Sequence, residues 1–392
     1  GYARYGTDRN LLAVVQQQGS VLLTAAGATV ARDLAASRTP PVLAWRSVEY
    51  TDGANGLRGG HGILRAGSGP EASMLLLKYG VHGEGHGHFD KLHFSFFDNG
   101  REVIRDYGFA RWINIEPKTG GRYLPENDSY AMQTIAHNTV VVDERTQNDF
   151  VEAAAEKLSG QRHFFEVQSP SVQAVSATAS GYWPGVSAQR TMLLLRDRRL
   201  PHPVVVDLFR VSGQADHQFD FPIHFRGQLI ATNVAYRAFT GERTALGPRF
   251  GYQHLWREAS GRSDSTVRVT WLDGSRYYTV STAAAPGTEV IYARTGAADS
   301  LFNLIVEPMY LLRRRGTSQL FASVIEPHGY FSESQERSEQ ARPLVTGIRE
   351  LATDTEGSVI ELTGPRGLRW QVHVAHGAAS GTATRTVRGA QN

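Results

Sequence analysis

A mainly β architecture, with large antiparallel sheets packed as a sandwich behind a short helical lead, is predicted by three observations. Short apolar runs recur between Gly, Asn, Asp and Pro turns from about Trp45 to the end of the chain. Asp98-Asn99-Gly100 and Asp273-Gly274 are hairpin turn signals. Helical periodicity is confined to residues 10–36, where Leu11, Leu12, Val14, Val15, Val21, Leu22, Ala25, Val30, Ala31 and Leu34 recur at helical spacing.

Taken in order, the lead is expected to divide into two or three short helices at Gly19 and Gly27 and to stop at Pro40-Pro41. Such helices have an apolar face without an obvious partner, so residues 1–45 read as the tail of a helical domain or as helices docked on the sheets. Strands are then expected at 73–79, 91–97, 102–106, 138–143, 191–195, 203–211, 266–271, 277–281, 301–306, 320–325, 358–362 and 368–374. The polar, Gly-containing stretch 260–265 suggests a boundary between a main sheet region (46–260) and a further antiparallel region (261–377), and residues 378–392 form a small, polar tail.

With 392 residues, 41% hydrophobic, the chain can bury a large core, which excludes disorder as its main state. The net charge of +3 is too small for a protein that binds nucleic acid by neutralising phosphates. The absence of cysteine excludes disulfides and thiolate metal sites, so a metal must be held by His, Asp or Glu. No apolar run reaches bilayer length, so no membrane span is expected, and neither a signal peptide nor an initiating Met begins the sequence, which suggests a mature or cut product.

Tyr79–Asp90, YGVHGEGHGHFD, is the most informative segment because it sets His82, His86 and His88 beside Asp90 among four glycines. If residues 86–92 enter a strand, His86, His88 and Asp90 share one face at period two. Asp106, ending one expected strand, and His137, opening another, flank a loop (107–136) rich in Gly, Arg, Tyr and Asn. Neighbouring strands then bring His88, Asp106 and His137 towards one coordination sphere, and two imidazoles with a carboxylate suit Zn²⁺. The alternative is that they are hydrogen-bonded sheet residues, which spacing leaves open. His82, His93 and His224 read as structural or cleft-lining, Asp90 as orienting His86 or His88, and Arg313-Arg314-Arg315 as a solvated charge run.

GHGHFDKL, IRDYG, GGRYLPEN and AHNTVVVDE, in that order, resemble the heparinase II/III-like domain of polysaccharide lyases, and most closely the exolytic oligoalginate lyases of polysaccharide lyase family 17. Asp106, Tyr123 and His137 fall 18, 35 and 49 residues beyond His88, the family's spacing, and the resemblance runs over roughly residues 10–330. It implies an (α/α) toroid, of which only the last helices are present, ahead of the antiparallel β-sandwich, with the active site in the cleft between them. It also implies a mainly structural zinc ion held by His88, Asp106 and His137, with Tyr123 beside the scissile bond and His86 and Arg111 meeting the uronate carboxylate. The implied partners are an acidic oligosaccharide and the missing toroid domain. A homodimer and a periplasmic or secreted location are compatible with it.

The expected chemistry is β-elimination at a 1,4-linked uronate: a proton leaves C5, and the leaving O4 takes one up. Donors must neutralise the carboxylate, and each preorganised donor is worth about 3–4 kcal/mol. His86 and Arg111 suit that work. Tyr123 then acts as base, which requires a phenol pKa lowered from about 10 towards 7, a difference of about 4 kcal/mol that nearby cations supply. By composition alone Tyr123 also reads as a packing residue and Arg111 as stacked on Trp112. A lyase on heparan-type glycan or polyglucuronate, and a zinc-stabilised domain that only binds acidic glycans, are the alternatives.

Overall fold

The computed structural model describes residues 9–39, 45–108, 124–376 and 386–389. Residues 1–46 and 47–392 form two compact units. In the first, α1 (Arg9–Gln18) ends at Gly19, whose φ of +70° a side chain would strain, and α2 (Ala25–Ala35) begins at Thr24, whose Oγ1 accepts the N–H of Gly27. Gly27, expected from sequence to divide the helices, does not. It lies in the first turn of α2, where a Cβ would stand 1.9 Å from the Leu22 carbonyl oxygen.

The second unit is three antiparallel sheets. The first runs in chain order, β1 (Val48–Thr51), β2 (Gly60–Ala66), β3 (Ser73–Lys78), β4 (Phe94–Asp98) and β5 (Arg101–Ile104). Asn99 (φ +52°) and Gly100 (φ +72°) make the expected β4–β5 hairpin turn. The central sheet has 13 strands: β6 (Val141–Val142), β7 (Gln161–Glu166), β8 (Val172–Trp183), β9 (Val186–Leu195), β10 (Val204–His224), β11 (Gln228–Thr232), β12 (Tyr236–Ala238), β13 (Leu255–Ser263), β14 (Val267–Asp273), β15 (Arg276–Thr282), β16 (Thr288–Thr295), β17 (Pro308–Ser332) and β18 (Arg337–Glu339). The third comprises β19 (Gly347–Thr353), β20 (Gly357–Thr363), β21 (Arg369–Ala375) and β22 (Thr386–Gly389). The boundary expected near 260 falls inside β13, and strands on both sides of it share the central sheet.

Two long strands organise the layers. β10 pairs with β17 from Val205↔Ile325 to Ser212↔Ser318, shifts register, and continues from His217↔Gly316 to His224↔Met309. Such a shift bends the pair and lets one strand serve two packing surfaces. Alternation along β9 and β10 sends Met192, Leu194, Val205 and Phe209 into a core with Leu75, Leu77, Phe94 and Phe96 of the first sheet. Their neighbours Leu193, Leu195, Val204, Val206 and Leu208 enter a second core with Ile348, Ile360, Leu362 and Val372 of the third. Each such fully buried side chain contributes roughly 1.5–3 kcal/mol. The antiparallel sheets therefore pack in three layers, the third sheet adding a layer to the expected sandwich, because β9 and β10 are apolar on both faces.

Further expectations are corrected. Residues 79–93 form a loop, so His86, His88 and Asp90 share no strand face. Residues 301–306 are also a loop, with Leu301 and Phe302 exposed and β17 starting only at Pro308. Of the Arg313-Arg314-Arg315 run, expected to be solvated, only Arg315 is exposed. Arg313 pairs with the buried carboxylate of Asp220 (2.8 Å) and with Glu144 (2.7 Å), and Arg315 donates to Gln218 Oε1 (2.6 Å). Arg314 is buried, donating to the carbonyls of Leu320 (2.8 Å) and Ala283 (3.0 Å) over the Phe321 ring.

Candidate functional site

The loop between β3 and β4 is closed at its ends, where Leu92 N–H donates to the Lys78 carbonyl and Lys78 N–H to that of His93, both at 2.9 Å. It is tied to residues 132–147 by Phe89 N–H to the Met132 carbonyl (3.0 Å), Thr134 Oγ1 to that of Phe89 (2.7 Å) and Thr139 Oγ1 to that of Lys91 (2.7 Å). Gly87 is required because a Cβ there would sit 2.1 Å from the His82 carbonyl oxygen. The close approach that glycine permits is thus to the chain itself.

Asp106 lies two residues past β5, and His137 ends the turn Thr134–Ala136. Both are braced on the end of β10: Arg105 N–H donates to the His224 carbonyl (3.1 Å), and His224 N–H donates to Asn138 Oδ1 (2.7 Å). Asn138 Nδ2 donates in turn to the carbonyls of Arg105 (2.8 Å) and Phe94 (3.2 Å). This brings together His93, Asp106 and His137, whose ligand atoms lie within 4.8 Å of one another. Asp106 Oδ1 is 2.7 Å from His137 Nδ1, and Asp106 Oδ2 is 3.7 Å from His93 Nε2. His88, the imidazole expected from sequence, is half-buried beside them, its ring centroid 5.2 Å from that of His137.

The hydrogen bonds distinguish the imidazoles. His93 Nδ1 accepts the N–H of Asn138 (2.9 Å), so in the neutral ring the proton is on Nε2, towards Ser95 Oγ (3.1 Å) and Asp106. That leaves His93 no lone pair for a metal. His137 is fully buried; its Nδ1–H donates to Asp106, and its Nε2 has no partner. A buried lone pair of this kind is costly unless something binds it. A divalent metal taken by His137, Asp106 and an adjacent imidazole fits the donor set, and His88 is the imidazole that stands beside His137.

Protonation agrees with this. Burial lowers the His88 imidazole to about 4, and His137 beside it acts in the same direction. Burial lowers His93 to about 3. Burial alone would raise Asp106, but His93 and His137 outweigh it and hold the carboxyl well below the usual range. A neutral His88 imidazole and an ionised Asp106 carboxylate at neutral pH are the state a metal requires.

His86 is exposed on the loop, with its N–H to the Gly83 carbonyl (3.2 Å). Asp90 is not placed as an orienting group for a ligand histidine. It is buried against Lys78 Nζ (2.6 Å), and Lys78 outweighs burial to keep it ionised. His82 packs on Phe89 and His224 donates to the Ile135 carbonyl (2.8 Å), both structural placements. Arg111 and Tyr123 lie outside the described residues. The chain entering and leaving that segment is anchored on one loop: Ile305 N–H donates to Tyr107 Oη (2.7 Å), and Asn303 Nδ2 donates to Glu126 Oε2 (2.7 Å). Sequence reasoning missed this anchor by assigning 301–306 to a strand; it read His93 as structural or cleft-lining, and the structure places that ring against Asp106.

Residues 50–342 match the heparinase II/III-like, C-terminal family. The chain belongs to that family. Among its relatives, an alginate lyase of Stenotrophomonas maltophilia is 40% identical over 97% of the chain and 51% of its own length. An exo-oligoalginate lyase of Saccharophagus degradans is 36% identical over 90% of the chain and 48% of its own. The chain thus spans about half the length of these relatives. In fold it is similar to a heparinase III (TM-score 0.60, 14% identity, 89% of this chain and 45% of that one). It is also similar to a heparan sulfate lyase mutant from Pedobacter heparinus (TM-score 0.58, 16% identity, 94% and 48%). No helix among the described residues is long and apolar enough to cross a membrane.

Proposed function

We propose that this heparinase II/III-like chain is the β-domain part of a polysaccharide lyase that cleaves 1,4-linked uronic acid oligosaccharides, oligoalginate first, by β-elimination from a chain end. The observation that carries the reading is the identity to an alginate lyase along nearly the whole chain, with the His/Asp cluster in place. The second relative, an exo-oligoalginate lyase, favours the chain-end mode.

Zinc is the proposed metal, with His88, Asp106 and His137 as ligands and His93 as the donor that fixes Asp106. When bound it supplies a divalent charge that ties the His loop to the residues before β6. The chain's own residues do the chemistry. His86, exposed on the loop, and Arg111 donate to the uronate carboxylate, which makes the C5 proton removable. Tyr123 takes that proton as phenolate, and a second tyrosine or water from the toroid part protonates the leaving O4.

Elimination creates a conjugated double bond, so ultraviolet absorbance during incubation with alginate, heparan-type glycan and polyglucuronate tests the reading. A rise with alginate, abolished by Tyr123→Phe while fold and metal content persist, is expected. No rise with any of the three sinks the enzyme reading, and alginate binding without a rise would favour the glycan-binding alternative.

A further inference from the structure

We propose that Arg190, locked by Asp207, is a positioning residue that holds the two histidine-bearing segments in metal-binding geometry. It rests on reading the His/Asp cluster as a divalent metal site. Arg190 on β9 is fully buried and contributes no atom to the cluster. Its Nε and Nη2 grip the two carboxylate oxygens of Asp207 on β10, at 2.8 and 2.5 Å. That fork fixes the guanidinium plane, and the Phe94, Phe209 and Phe221 rings surround it at 4.3, 4.6 and 5.3 Å.

The remaining nitrogen does the positioning. Nη1 donates to the Leu92 carbonyl (2.7 Å) and to the Asn138 carbonyl (2.6 Å). Leu92 immediately precedes His93, and Asn138 immediately follows His137. One atom therefore sets the distance between the strands of chain that carry the two imidazoles. Leu92 is held at φ +61°, a conformation leucine avoids, and its bond to Arg190 is among those that retain it. Asn138 passes the constraint on through its N–H to His93 Nδ1 and its Nδ2 to the carbonyl of Arg105, the residue before Asp106.

A buried ion pair is weak evidence for stability, since apolar residues of similar volume generally serve as well. Arginine supplies what they cannot, a rigid planar fork with donors left over for two carbonyls. Lysine, a single flexible point donor, cannot grip Asp207 bidentately and reach both carbonyls.

The test is Zn²⁺ or Co²⁺ affinity of the full chain, by competition with a chelating dye at a temperature where near-ultraviolet circular dichroism shows each variant folded. Arg190→Lys, and the charge-free double variant Arg190→Met with Asp207→Leu, are expected to lose roughly 10- to 100-fold in metal affinity. Ile360→Ala, in the core against the third sheet, lowers the melting temperature but leaves the affinity as in the parent protein. If Arg190→Lys does not fold, the double variant, which buries no charge, carries the test. Folded variants with parental affinity, or an equal loss in Ile360→Ala, overturn the positioning role. A parent protein that binds neither metal overturns instead the metal reading on which the proposal stands.

Discussion

The two faces of the central sheet at β9 and β10 are built from the same strands by the same alternation, yet they are packed by different physics. Towards the third sheet, Leu193, Leu195, Val206 and Leu208 meet Ile348, Ile360 and Val372. Towards the first sheet, those strands turn Arg190 and Asp207 as well as Met192 and Phe209, and the guanidinium reaches on to the backbone beside His93 and His137. The apolar face is stabilised by area, which is non-directional and tolerant of repacking. On the other face the apolar core also encloses Arg190 and Asp207, which are tolerated there only if each donor finds its acceptor, and that condition fixes geometry. The functional cluster stands on the face that specifies position.

The comparison can be broken from either side. The largest effect is expected for Asp207→Ala, which leaves the Arg190 charge buried and unpaired; urea denaturation should show a loss of about 3–5 kcal/mol. Ile360→Ala on the opposite face removes buried methylenes and should cost about 3 kcal/mol in the same experiment, without changing metal content. If the two substitutions disturb metal content equally, the division between the faces fails.

A smaller effect sharpens it through pH. His224, at the site end of β10, is fully buried, and burial lowers its imidazole from the ordinary 6.5 to about 4. Between these values the unfolded chain binds the proton that the folded chain refuses. Its contribution is therefore complete above pH 6.5 and declines as pH falls towards about 4. Stability measured at pH 5 should be lower than at pH 7 by about 2 kcal/mol from this group. His224→Gln, whose amide still donates to the Ile135 carbonyl, should flatten that part of the profile; an unchanged slope would show that His224 is not such a buried titrating group.

Much of the fold was legible from sequence because strand alternation and turn chemistry are local. The β4–β5 hairpin followed from Asp98-Asn99-Gly100, and of the long apolar runs 191–195 lies within β9 and 203–211 enters β10 at Val204. The run at 301–306 failed because Leu301 and Phe302 are exposed and Leu304 is buried from a loop, and apolarity alone does not say whether a segment finds a sheet edge. Arg313–Arg315 failed for the opposite reason: three adjacent charges read as solvated, whereas β17 points Arg313 at Asp220 and Arg314 into the other face. In the site, Asp106 and His137 were legible as polar residues beside apolar runs, although they lie outside β5 and β6 rather than at strand ends. His93 was not, because what separates a ligand from a positioning donor is the partner of its second nitrogen, supplied by Asn138 from 45 residues away.

The sequence by itself determined the β class, the hairpins, the exclusion of thiolate chemistry and the family motifs, because each depends on residue identity and short spacing. Only the tertiary structure decided that there are three layers and that His93 joins Asp106 and His137. It alone also set Arg190 as the brace beneath them. Those depend on which long-range donors meet which acceptors once β9 and β10 are buried on both faces, and no local pattern encodes that pairing.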